Sequence, residues 1–112
     1  MKFLLLWLFV FLAVSFSSSA ASRLTIELQL TPEGFNPSTI YVPSDRRIKI
    51  NMINKTTRVA ELESYDMKFE KIAIPSGRIS VFTGPLKAGK YSFFNDYSSK
   101  HLTGNIIVQN KN

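Results

Sequence analysis

Hydrophobic and polar positions alternate along much of the chain with the period of two that a half-buried strand requires. Leu24, Ile26, Leu28 and Leu30 interleave with Thr25, Glu27 and Gln29, which predicts a strand over residues 24–30. The pattern returns over residues 47–54, with Ile48, Ile50 and Met52 on one side and Lys49 and Asn51 on the other. Shorter extended pieces are expected over 39–42, 59–64, 69–74, 78–83, 90–94 and 104–109. Turn chemistry separates them. The segment Thr31-Pro32-Glu33-Gly34-Phe35-Asn36-Pro37 holds two prolines and a glycine, and it is expected to turn without regular pairing. Polar or proline-bearing breaks follow at residues 43–45, 54–57, 75–77 and 85–89. No segment holds a helical period. Seven to eight short strands, with a turn signal about every 8–12 residues, predict an all-β Greek-key β-sandwich.

The amino terminus departs from this pattern. Lys2 precedes an apolar run from Phe3 to Val14, and Ser19 and Ala21 then fit the small-residue positions of a signal-peptidase site. The run falls short of the ~20 residues that span a bilayer. Residues 1–21 are therefore expected to be a cleaved signal peptide, with a signal anchor as the competing reading, export to the periplasm and a single domain over 22–112. Taking residues 1–21 from the 112 leaves 91, one small domain with an economical core. The chain contains no cysteine, so it has neither disulfides nor a thiolate ligand. Its 14 basic residues exceed its 8 acidic ones but are scattered, which speaks against nucleic acid and leaves solubility, an acidic partner or the anionic face of an envelope membrane as their use.

Several fragments then carry a family likeness. Phe35-Asn36-Pro37-Ser38-Thr39-Ile40-Tyr41-Val42-Pro43 resembles the opening of cupredoxin domains, and residues 48–54 resemble the strand that follows it. Glu61-Leu62-Glu63-Ser64, Glu70-Lys71 and the run Gly84-Pro85-Leu86, Gly89, Tyr91, Phe93-Phe94 are similar to a narrower group. That group comprises the periplasmic cupredoxin-like proteins associated with ferrous-iron permease systems and the cupredoxin domain of iron-uptake lipoproteins. The likeness covers roughly residues 35–108. It implies a cupredoxin-like sandwich, a bound copper or iron ion, and a membrane iron permease or another periplasmic iron protein as partner. A homodimer sharing one site is a further arrangement it leaves open.

The family's ligand positions transfer only in part. An ordinary cupredoxin's first His position falls among residues 59–63 here, and its Cys position falls at Phe94 or Asn95, so a type 1 copper centre is not expected. The iron-associated group implies an acidic pair at the end of the penultimate strand and then a His. This chain has Asn95-Asp96-Tyr97-Ser98, with its single His three residues on, at His101.

The candidate metal ligands are therefore His101 and Asp96, then Glu63 and Glu61, then Met67. Glu61 and Glu63 lie two apart on a strand and share a face. Asp96 and His101 belong to the long last loop, and Met67 offers a thioether from the loop before residue 69. Oxygen and imidazole donors suit iron, Cu(II), manganese or zinc. Ferrous-iron oxidation for a permease is the one catalytic role this set suggests. Each residue also has a plainer use: a solvated strand face for the glutamates, a turn cap at Asn95-Asp96, an exposed loop His, and core packing for Met67. Glu70-Lys71 reads as a local ion pair. A Ser–His–acid triad, a phosphate-binding glycine loop and a glycosidase carboxylate pair find no support in the spacing. The alternative reading is a metal-free β-sandwich binding module that contacts an acidic partner in the cell envelope.

Overall fold

A computed structural model describes residues 23–110, and among these it contains strands and no helix. The expected signal peptide over residues 1–21 lies outside the described residues. In chain order the strands are β1 (Leu24–Thr31), β2 (Gly34–Asn36), β3 (Thr39–Pro43), β4 (Ile48–Asn54), β5 (Ala60–Ser64), β6 (Phe69–Ala73), β7 (Arg78–Thr83), β8 (Gly89–Phe94) and β9 (Thr103–Gln109). They form a four-stranded sheet ordered β2-β1-β4-β7 and a five-stranded sheet ordered β3-β9-β8-β5-β6. The β1–β4 and β3–β9 pairs are parallel, and the other pairs are antiparallel. The chain changes sheet repeatedly, which makes the connections those of a Greek key.

Alternation places the core between the sheets. Every second residue of β4 is buried, so Ile48, Ile50 and Met52 face inward beside Leu28 and Leu30 of β1. Leu62, Phe93, Ile106 and Val108 meet them from the other sheet. Full burial of a side chain such as Leu62 contributes about 1.5–3 kcal/mol. The Phe93 ring stands edge-on to Phe35, with centroids 4.9 Å apart. Gly104, the partner of Phe93 on β9, lets that ring lie close, because a Cβ there would collide with it.

One expectation needs correction. The segment over residues 31–37 is not all turn: Gly34, Phe35 and Asn36 double back and pair with Thr31, Leu30 and Gln29. The prolines lie outside the paired residues, and the reversal is confined to Pro32 and Glu33. The Thr31 hydroxyl donates to the Gly34 carbonyl (2.9 Å) and accepts the Glu33 N–H (3.2 Å), closing the turn locally.

Candidate metal centre

β5 runs second from the edge of the five-stranded sheet, with the edge strand β6 on one side and β8 on the other. Ala60 and Leu62 point into the core, so Glu61 and Glu63 point to the outer face of the same sheet. The β5–β6 register sets Glu63 directly opposite Glu70 and Glu61 opposite Ile72. Three carboxylates thus converge: one oxygen each from Glu61, Glu63 and Glu70, all within 4.8 Å of one another. Burial is graded through the group. Glu61 is 2% exposed, Glu63 is half-buried and Glu70 is exposed.

The hairpin that holds these groups is tied to β8. The Ser64 hydroxyl donates to the Ser92 carbonyl (2.7 Å) and accepts the Met67 N–H (2.9 Å). Asp66 in the turn accepts the Ser92 N–H (2.9 Å). The Tyr65 ring packs against Phe94, the β8 residue beside Glu63. At the other end of β5, the Asn95 side-chain oxygen accepts the Glu61 N–H (3.0 Å) and the Tyr97 N–H (3.1 Å). Backbone and turn are therefore fixed on both sides of the carboxylate group.

Its electrostatics are adverse without a counterion. Glu61 Oε2 is buried and has no hydrogen-bond partner. Burial, followed by the neighbouring carboxyls of Glu63 and Glu70, raises the Glu61 pKa from 4.5 to about 7. Like charges directly opposite one another on paired strands are destabilising. A hard or borderline cation would relieve both problems at once, since carboxylate oxygens are its preferred ligands.

The expected ligands divide between different places. Glu61 and Glu63 stand together. Asp96 and His101 are both exposed, and neither joins a group of three His, Cys, Asp or Glu ligand atoms among the described residues. His101 ends a short turn in a left-handed conformation (φ 52°), its N–H donating to the Ser98 carbonyl (3.2 Å). Met67 is 5% exposed and packs in the hydrophobic core.

Glu70 was not among the expected ligands. The signal for it was the hairpin itself: a turn over residues 65–68 sets 64 opposite 69 and 63 opposite 70. Neighbouring strand residues point to opposite faces, so Glu70 and Lys71 are not the local pair their adjacency suggested. The Lys71 ammonium instead reaches the Ser80 carbonyl, 3.5 Å away. With no cysteine in the chain, the donors present do not fit a type 1 copper centre.

Comparison with known proteins places this geometry in context. A family model described as "Cupredoxin-like domain" matches residues 4–108. An uncharacterised protein of Rickettsia prowazekii (strain Madrid E) is 33% identical over 85 residues, which covers 76% of this chain and 68% of that protein. Among solved structures, auracyanin A, a blue copper protein from Chloroflexus aurantiacus, superposes with a TM-score of 0.67 at 14% identity, covering 79% of this chain and 100% of that one. The metal binding domain of the Cu(I)-exporting P-type ATPase CopA of Streptococcus pneumoniae D39, solved with Cu(I), gives a TM-score of 0.67 at 15% identity, covering 76% of this chain and 84% of that one. At such identities the structural likeness speaks for the fold. Strand order, sandwich core and a family match over nearly the whole length agree: the chain belongs to the cupredoxin-like domain family.

Proposed function

We propose that the protein handles a metal ion through the oxygen atoms of Glu61, Glu63 and Glu70, on the outer face of the β5–β6 hairpin. The observation that carries this reading is Glu61: its Oε2 is buried without a hydrogen-bond partner, and its carboxylate is gathered with two others. A buried polar atom of this kind costs about 1–3 kcal/mol, a cost that a bound cation removes. An all-oxygen donor set suits Fe(II), Fe(III) or Mn(II) better than Cu(I), which prefers sulfur. The graded exposure from Glu70 to Glu61 gives a cation a route from solvent to the buried ligand. Iron is the ion we favour, and the role is that of an exported, periplasmic partner of a membrane iron permease in ferrous-iron uptake. The resemblance at Glu61-Leu62-Glu63-Ser64 and Glu70-Lys71 supports that role, and two of the three ligands proposed here lie in the first of those fragments.

Thermal unfolding tests the site. At a free metal concentration a hundred times Kd, binding adds about 2.7 kcal/mol, which is a rise in Tm on the order of 10 °C for a domain of this size. Fe(II) under anaerobic conditions, or Mn(II), should produce that rise. Glu63→Gln combined with Glu70→Gln should abolish it, and His101→Ala should leave it intact. Loss of the rise in His101→Ala with retention in the double Gln variant would place the metal at the last loop and overturn the assignment. No rise with Fe, Mn, Cu or Zn would favour the metal-free binding module.

A further inference from the structure

A second feature lies at one end of the sandwich, where the β1–β2, β4–β5 and β8–β9 connections meet. These connections border a half-open cavity of about 370 Å³, within the usual size range of small-molecule sites. Lys55, Arg58 and Lys100 line it, and no acidic side chain does. None of the three cations forms an ion pair with a described residue. The rest of the wall is partly apolar: Pro32, Val59 and Leu102 take part, and Val59 is one of the exposed large hydrophobic residues of the surface.

The walls are held in place by side-chain hydrogen bonds. Asn54, fully buried, donates to the Arg58 carbonyl (2.8 Å) and the Ala73 carbonyl (3.0 Å) and accepts the Thr56 N–H (3.0 Å). Asn95 accepts the Tyr97 N–H, and the Ser98 hydroxyl accepts the Lys100 N–H (3.0 Å). These bonds fix the backbone of the connections, so a ligand has only the exposed side chains of Lys55, Arg58 and Lys100 to order.

We propose that this cavity is a binding site for a small organic polycarboxylate. Three cations without a counter-charge call for a multiply charged anion, and Arg58 can engage a carboxylate with two parallel hydrogen bonds. The apolar wall calls for a carbon skeleton between the charges, and the volume exceeds what a single inorganic ion fills. The site shares no ligand with the carboxylate group of Glu61, Glu63 and Glu70, and it stands whether or not that group binds metal.

Citrate, titrated into the metal-free protein at fixed ionic strength, is the probe, with inorganic phosphate, butyrate and vesicles of anionic phospholipid as comparisons. Calorimetry should show saturable citrate binding, and amide resonances of residues 55–59 and 98–100 should move. Arg58→Gln and Lys100→Gln should each weaken binding by roughly tenfold, the scale of one lost charge-assisted contact. Glu63→Gln should leave citrate affinity unchanged, which separates this site from the metal reading. Phosphate binding as tightly as citrate would reduce the cavity to a simple anion trap and overturn the proposal. Vesicles moving the same amides in preference to citrate would make the basin a lipid-surface contact instead. Citrate affinity surviving the double variant Arg58→Gln/Lys100→Gln, or no saturable binding, would also overturn it. The substituted side chains are exposed, and Lys55→Gln gives an independent third variant.

Discussion

Burial and the two neighbouring carboxyls push the Glu61 group in the same direction, towards its protonated form. In the metal-free protein the folded state therefore keeps, up to about pH 7, a proton that the unfolded chain releases around pH 4.5. Stability from this group is present below that window and is lost as pH rises through it. One pKa unit corresponds to about 1.4 kcal/mol, so the whole effect is about 3 kcal/mol. Chelator-treated wild type should thus lose stability between pH 5 and pH 8 relative to Glu61→Gln, whose amide does not titrate. Denaturant unfolding of both proteins at the two pH values measures it. Parallel pH dependence in wild type and variant would mean that Glu61 titrates normally. Added metal should erase the difference above pH 7, because the ion takes the place of the proton.

At the level of strands and connections, Asn95 carries more than its sequence position suggested. It occupies a place where the family likeness pointed towards a ligand, yet its amide joins β5 to the β8–β9 connection by accepting two N–H groups. Asn95→Ala should leave the Glu61 and Tyr97 N–H groups without an acceptor, at about 1–3 kcal/mol for each that stays buried. Faster amide hydrogen exchange at Glu61, seen together with that loss, would tie the cost to this bridge. Unchanged exchange would assign the loss to packing elsewhere. The strands themselves were legible because their period-two pattern follows directly from which face is buried. β2 was missed because a run with two prolines reads as turn, although three residues between Glu33 and Pro37 suffice to pair. Glu61 and Glu63 were legible from spacing along one strand. Glu70 was not, since its place beside them depends on hairpin register, and its neighbour Lys71 offered a simpler partner.

Across the whole molecule, two sets of charge of opposite sign adjoin through Asn95, which lines the cavity and accepts the Glu61 N–H. Acidic groups gather on the outer face of the β5–β6 hairpin, and Lys55, Arg58 and Lys100 gather around the cavity formed by three connections. The fold explains why a last-loop ligand set was a natural expectation: the long β8–β9 connection is where a sequence reader looks for function. Here that connection contributes a basin and an exposed His101, while the carboxylates converge on the sheet itself. A hairpin anchored on both sides would hold the proposed metal ligands more precisely than a loop.

Mn(II) added to isotope-labelled protein tests the proposed metal centre most directly, since a bound paramagnetic ion broadens the amide signals nearest to it. Broadening centred on Glu61, Glu63 and Glu70, and declining from Tyr97, whose N–H shares the Asn95 oxygen with that of Glu61, towards His101, is the predicted result. Broadening centred on Asp96 and His101 instead, or spread evenly over the surface, would contradict an oxygen-only centre on the β5–β6 hairpin.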